Sequence, residues 1–246
     1  MEINNLQTLK GFELKREIPK HIAIEGTAGS GKSTLLDSLR NIEGYNTVGE
    51  YGTLLDYSNG ERFPNFPPEN SADVIKSNAL WAILEMRRKK ELVNAGQNTK
   101  RLVVTDRSPI SLFAFEYAKK VQGLPFEFTN LAKFYLRLES VNLFKEPSGY
   151  IFLLPQPKII LDRIEARGGR AMPFLRETST IESIHEFMLK FSNTYLDPKQ
   201  YIIIDNSSIS LALTTKKVAD YMKTNLHTES KPFCSLLKHL LTNSEI

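Results

Sequence analysis

The residues best suited to chemistry are Gly26-Thr27-Ala28-Gly29-Ser30-Gly31-Lys32-Ser33, with Thr34 following. They match the pattern G-x-x-x-x-G-K-[ST] and lie between an apolar run at 20–25 and a helix-forming stretch at 33–39. Glycines at those places let the backbone turn and aim successive N–H groups inward, forming a nest for an anion. The N-terminus of a following helix adds partial positive charge. Lys32 would reach the β- and γ-phosphates of a nucleoside triphosphate, and the Ser33 hydroxyl would ligate Mg²⁺. The segment is expected to bind nucleotide, with Lys32 facing solvent until the nucleotide arrives.

Three further groups fit the same chemistry. Asp106 closes the run Arg101-Leu102-Val103-Val104-Thr105-Asp106, where its carboxylate would sit at the carboxyl edge of a sheet beside the metal. The alternative is an aspartate that only caps the next helix. Arg107 follows directly, and an arginine fork there can grip a phosphate or a hydroxyl-bearing sugar. Glu50 ends another apolar run and could take the proton of an attacking hydroxyl, or hold magnesium or substrate. A structural role in the turn Glu50-Tyr51-Gly52-Thr53 is the alternative.

Arg163, Arg167 and Arg170 form the third group, the first two one helical turn apart and the last behind Gly168-Gly169. Phosphoryl transfer spreads negative charge over the transferring oxygens, and arginines on a closing lid neutralise it. They are expected to act on the transition state; a solvated basic helix end is the alternative. Histidines 21, 185, 227 and 239 show no ligand spacing and are assigned no metal.

Such residues need a scaffold. Five short apolar runs, at 20–25, 45–50, 101–106, 149–154 and 200–205, have the continuous hydrophobicity of strands buried on both faces. They alternate with longer amphipathic stretches, which predicts an α/β fold with a parallel sheet. Ser108-Pro109 should open a helix ended near Gly123, Thr129 should cap the next, and Ser179 with Glu182 should form a capping box. Leu80, Trp81, Leu84 and Leu92 mark a helix over 74–94, with Gly96 past its end. Residues 57–70 read as a loop near a substrate and 167–178 as a mobile flap, while Phe233, Leu236, Leu237, Leu240 and Leu241 suggest a last helix docked on the body.

Composition narrows the class. The 246 residues are 41% hydrophobic and 24% charged, ordinary globular proportions that exclude wholesale disorder or a bare coiled coil. No apolar run approaches the roughly 20 residues of a membrane span, and residues 1–5 do not resemble a secretory leader. A single cysteine, Cys234, excludes an internal disulfide, so a reduced, cytoplasmic protein is expected. The net charge of +4 is modest. Arg87-Arg88-Lys89-Lys90 and Lys119-Lys120 read as solvated helix faces, and a nucleotide fits the excess charge as well as nucleic acid would.

The stretch from Ile24 to Leu35, Asp106-Arg107-Ser108 and the basic segment from Arg163 to Arg170 resemble the thymidylate kinase and deoxynucleoside kinase branch of P-loop kinases. The resemblance implies a P-loop NTPase fold with five parallel strands in the order 2-3-1-4-5, helices on both faces and a lid near 163–178. It covers residues 20 to about 222, and a kinase domain over 1–225 with a helical tail at 226–246 is expected. It also implies ATP and Mg²⁺ as cofactors and transfer of the γ-phosphate to a (deoxy)nucleoside or nucleoside monophosphate. A homodimer would be usual, and nucleic acid is not an expected partner. Gly26, Thr27, Ala28, Gly29, Ser30, Gly31, Lys32, Ser33 and Thr34 would bind the nucleotide, with Ser33 and Asp106 on the metal. Lys32, Glu50, Asp106, Arg107, Arg163, Arg167 and Arg170 would carry the reaction. Ser108, as third residue of its motif, leans toward the nucleoside kinases. The competing class is a P-loop ATPase or GTPase used as a switch; an Asn-Lys-x-Asp base-reading motif and a Ser-Gly-Gly-Gln signature are both absent.

Overall fold

Apolar runs too short for helices form the strands β1 (His21–Glu25), β2 (Asn46–Val48), β3 (Val103–Asp106), β4 (Gly149–Leu153) and β5 (Tyr201–Ile204). They make one five-stranded parallel sheet in the order β2-β3-β1-β4-β5, as the resemblance implied. The computed structural model describes residues 17–62, 71–97, 102–169, 171–224 and 232–242. Ile24 lies in register with Asp106 of β3 and Ile151 of β4, so the strand ends that carry polar residues share one edge.

Side chains alternate across the sheet and sort the helices into two layers. Ile22, Ile24, Val104, Ile151, Leu153 and Ile204 pack against Leu35, Leu36 and Leu39 of α1 (Lys32–Glu43) and Val218 and Met222 of α7 (Leu211–Thr224). Ala23, Tyr150 and Phe152 face the larger core, formed with α3 (Ile110–Val121), α4 (Phe128–Ser140), α6 (Thr178–Tyr195) and α8 (Pro232–Thr242). The long α2 (Ser71–Gln97) covers the β2 end, where Leu92 meets Ile18, Val48 and Val103. Each such large side chain contributes about 1.5–3 kcal/mol on burial.

Several boundaries differ from expectation, each for a local reason. The second strand stops at Val48, and Glu50 instead precedes a 3₁₀ turn, Tyr51–Leu54. Thr129 lies inside the first turn of α4, because Phe128 is drawn into the core beside Phe113 and Glu127 takes the cap position. Ser179 is likewise inside α6, which starts after Glu177 so that Thr180 and Ile181 are buried. Gly96 falls within α2 rather than beyond it; Asn46 Nδ2 donates to the Ala95 carbonyl at 2.6 Å and satisfies that last turn. Pro109 takes the cap position of α3, and Ser108, one residue earlier, accepts from the Ile110 N–H through Oγ at 3.2 Å.

The basic runs are solvated only in part: Lys90 is exposed and Arg87 and Lys120 are half-buried. Arg88, Lys89 and Lys119 are buried. Lys89 Nζ donates to the Asn142 carbonyl at 2.7 Å, and Lys119 pairs with Glu116 at 2.6 Å. Arg87 grips Glu61 through both guanidinium nitrogens, at 2.5 and 2.8 Å, and donates to the Leu54 carbonyl. The α8 helix inserts Phe233 among the rings of Phe113, Tyr135 and Phe144, with centroids 5.5–5.7 Å apart. The Glu146 carboxylate accepts from the first backbone N–H groups of α8, at Phe233 and Cys234, and burial pushes its pKa up to about 8. No helix among the described residues is long and apolar enough to cross a membrane.

Candidate active site at the carboxyl edge of the sheet

The loop between β1 and α1 wraps back over the sheet edge. Gly26 has φ 149°, and a Cβ there would lie 2.6 Å from the Leu153 carbonyl oxygen, so no side chain fits. Gly31, at φ 100°, turns the chain into α1. Lys32 does not face solvent: it is 5% exposed, and its Nζ donates to the Thr27 carbonyl at 2.7 Å across the loop. Burial, helped by the nearby Arg107 charge, lowers its pKa to about 8 against the pull of Asp106, Glu50 and Glu25. A nucleotide polyphosphate would replace the carbonyl partner with a stronger, charged one.

Asp106 ends β3 beside that loop, and its Oδ2 accepts from Ser33 Oγ at 3.3 Å. Its Oδ1 is buried with no hydrogen-bond partner. A hydroxyl and a carboxylate held together, with one orphaned anionic oxygen, are hard oxygen donors of the kind Mg²⁺ takes. The pair fits a magnesium site completed by phosphates and water. No cluster of three or more His, Cys, Asp or Glu that could hold a metal occurs among the described residues.

Arg107 occupies the left-handed region, φ 67°, which costs a non-glycine residue about 1–3 kcal/mol. The strain aims its side chain back across β1: Nη1 donates to the Gly26 carbonyl at 2.9 Å and to Ser111 Oγ at 3.2 Å. Its Nε lies 3.5 Å from Oε2 of Glu50, whose carboxylate is half exposed. The acid expected after the second strand and the arginine expected after the third therefore meet, although Glu50 reaches Arg107 from a turn and not from a strand.

The lid arginines separate. Arg163, on α5 (Pro157–Ala166), donates through Nη1 to the Ser30 carbonyl at 3.3 Å and through Nη2 to the Asn206 carbonyl at 2.9 Å. It is thus braced on the phosphate loop itself. Arg167, one turn on, is exposed at the helix end, and Arg170 lies outside the described residues. Beyond Arg167 the chain turns through Gly168 and Gly169 into a 3₁₀ turn, Pro173–Arg176, whose Leu175 is buried. Of the loop at 57–70, residues 57–62 are described: Tyr57–Asn59 form a 3₁₀ turn, and Glu61 anchors it to Arg87.

Four residues escape a motif search. Glu25, fully buried, accepts from the Ser108 N–H at 2.7 Å and from Ser111 Oγ at 2.5 Å. Burial pushes its carboxyl above the ordinary range, opposed by those donors and by Arg107. An acid ending a strand otherwise buried on both faces is the signal that could have found it. Arg88 of α2 donates to the Asp106 carbonyl at 3.2 Å and to the Arg107 carbonyl, and lies 4.5 Å over the Tyr51 ring. Glu85, one turn earlier, accepts from the Tyr51 and Tyr135 hydroxyls at 2.8 and 2.7 Å; burial raises its pKa, with Arg88 the main opposing influence. Asn206 Nδ2 donates to the Ser30 carbonyl at 2.9 Å, beside Arg163.

Known structures share this framework. Deoxyadenosine kinase from M. mycoides, with the products dCMP and a flexible dCDP bound, superposes with a TM-score of 0.59 at 16% identity, covering 83% of this chain and 99% of that one. The same enzyme with bound dATP gives a TM-score of 0.55 at 17% identity, covering 83% and 100%. With bound dCTP it gives 0.56 at 16% identity, covering 83% and 99%. At these identities the likeness is one of fold. No curated protein matches the chain. The sequence profile described as an AAA domain matches residues 21–151, which run from the start of β1 through the phosphate loop, Asp106 and Arg107 into β4. With more than half of the sequence inside that match, and a glycine-rich loop, a buried lysine and a strand-ending aspartate where nucleotide phosphates would be held, the chain belongs to the AAA domain family of P-loop proteins.

Proposed function

We propose that the protein transfers the γ-phosphoryl group of ATP to a (deoxy)nucleoside or nucleoside monophosphate. The observation that carries the reading is Arg107. Its guanidinium is bonded to the loop after β1 through Gly26 and lies beside Glu50, which supports a reading in which one side chain serves both a phosphate donor and an acceptor. A switch ATPase needs only the first of these. The fold shared with deoxyadenosine kinase supports the reading independently.

In this reading Lys32 exchanges the Thr27 carbonyl for the β- and γ-phosphate oxygens. Ser33 and Asp106 hold Mg²⁺, which when bound neutralises charge on the triphosphate. Arg107 orients the acceptor in line with the γ-phosphate, and Glu50, half exposed at the end of that fork, takes the proton of an acceptor hydroxyl. A monophosphate acceptor has less need of a base, and there Arg107 becomes the main phosphate grip. Arg163 keeps the loop in shape, while Arg167 and Arg170 neutralise the transition state as the lid closes.

A panel of nucleosides and monophosphates with ATP and Mg²⁺, followed by coupled ADP release, tests the assignment when repeated with Glu50→Gln and Arg107→Ala. Selective loss in Glu50→Gln identifies a hydroxyl acceptor, and selective loss in Arg107→Ala a monophosphate. Full activity of both variants on every acceptor places the site elsewhere.

A further inference from the structure

We infer that Glu25 is a positioning residue that holds Arg107 in its working geometry through Ser108 and Ser111; the functional meaning of this rests on the kinase reading above. Arg107 would not adopt φ 67° unaided, so something must secure both ends of its turn. Asp106, on one side, is fixed in the sheet. On the other side the Ser108 N–H donates to Glu25 Oε1 at 2.7 Å, which pins the residue directly after the strained one. The second carboxylate oxygen accepts the Ser111 hydroxyl at 2.5 Å, and this fixes the direction of its proton. The Ser111 lone pairs are thereby left to receive Arg107 Nη1 at 3.2 Å, while the same nitrogen reaches the Gly26 carbonyl at 2.9 Å.

One carboxylate thus bears on both the backbone turn and the side chain of Arg107, whose own carbonyl is held separately by Arg88 and Thr105. Glu25 immediately precedes Gly26, so the tether also sets the distance between the phosphate loop and the acceptor arginine. The linkage is dry: Glu25 and Ser111 are fully buried, and Ser108 is 2% exposed. With no water able to replace a lost partner, removing the carboxylate or the hydroxyl takes away one of the two acceptors of Nη1 and leaves the guanidinium on Gly26 alone at that nitrogen, so it rotates more readily. Glu25 donates nothing to substrate in this scheme; its influence passes entirely through Arg107.

Ser111→Ala, which deletes one hydroxyl, and Glu25→Gln, which keeps shape while replacing one acceptor oxygen by a donor, test the tether in the full chain. The first readout is the ¹⁵N–¹H spectrum of the Arg107 guanidinium without any nucleotide, assigned by comparison with Arg107→Lys. Restricted rotation gives separate Nη signals in the native protein, and these are expected to merge in both variants. Unchanged Arg107 signals in both overturn the inference, whatever the kinetics show. The second readout is steady-state kinetics. The acceptor kcat/KM should fall about 10- to 100-fold while the ATP KM stays within about threefold, because the arginine is displaced and the loop is not. The double variant should be no worse than Glu25→Gln alone, since both act through one linkage. Equal losses toward ATP and acceptor would mark Glu25 as a general structural residue and overturn the positioning role. Where Glu25→Gln does not fold, Ser111→Ala carries both readouts. A native protein that phosphorylates no acceptor would remove the kinase reading, and the Arg107 spectra would still decide whether the tether exists.

Discussion

Lys32 shows how much a single side chain's surroundings set its chemistry. The residue is buried, bonded to its own loop, and has a pKa lowered to about 8. Polyphosphate binding requires the ammonium form, so above that pH binding must take up a proton. ATP affinity is expected to be flat below about pH 8 and to weaken toward tenfold per pH unit above it, a bend that isothermal titration should show and Lys32→Ala should lack. The same variant should lose about 10²-fold or more in turnover while remaining folded. His21 provides a second pH effect. Its Nδ1–H donates to the Pro19 carbonyl at 3.1 Å, and burial lowers its pKa to about 4 from 6.5. The unfolded chain therefore binds a proton that the folded chain refuses between those values, and stability falls as pH drops through that window. Relative to the native protein, His21→Gln should gain up to about 3 kcal/mol between pH 7 and pH 4 in urea unfolding. A pH-independent difference would contradict this. The phosphate loop and Asp106 were legible in the sequence because each is a local signal, a spacing or a strand end. Glu25, Ser111 and Arg88 were not, since what brings them to the candidate site is contacts 83, 86 and 18–19 residues apart.

Among the elements, α5 and α8 carry the clearest consequences. The α5 helix presents Arg163 to two backbone carbonyls of the site and leaves Arg167 exposed, so arginines expected to act together should separate kinetically. Arg163→Ala is expected mainly to raise the KM for ATP, and Arg167→Ala mainly to lower kcat. Identical kinetic signatures would return both to a common role. The α8 helix was legible as an amphipathic segment, but its depth was not: Phe233 is 1% exposed among three aromatic rings. Phe233→Ala should cost about 3–5 kcal/mol in denaturant unfolding. Caps at Thr129 and Ser179 were misplaced because burial of Phe128 and Ile181 outweighs the roughly 1 kcal/mol a cap supplies.

For the molecule as a whole, the alternation of buried strands and helices made the parallel α/β class legible, while the order of the sheet came only with the resemblance to P-loop kinases that the glycine-rich loop and Asp106-Arg107-Ser108 carry. Charge was the misleading feature: Arg88, Lys89 and Lys119, in runs that resemble solvated faces, instead hold backbone carbonyls and a carboxylate inside the fold. What the architecture produces is a carboxyl edge where the loop after β1, the turn after β2 and the turn after β3 converge on Arg107. If that convergence joins a phosphate donor to an acceptor, the fate of the phosphoryl group reveals it. Incubating the protein with [γ-³²P]ATP, Mg²⁺ and the nucleoside and monophosphate panel, then separating the products, should place label on an acceptor with little released as inorganic phosphate. Label found only in inorganic phosphate, at a rate indifferent to every acceptor, would contradict phosphoryl transfer and leave a hydrolase.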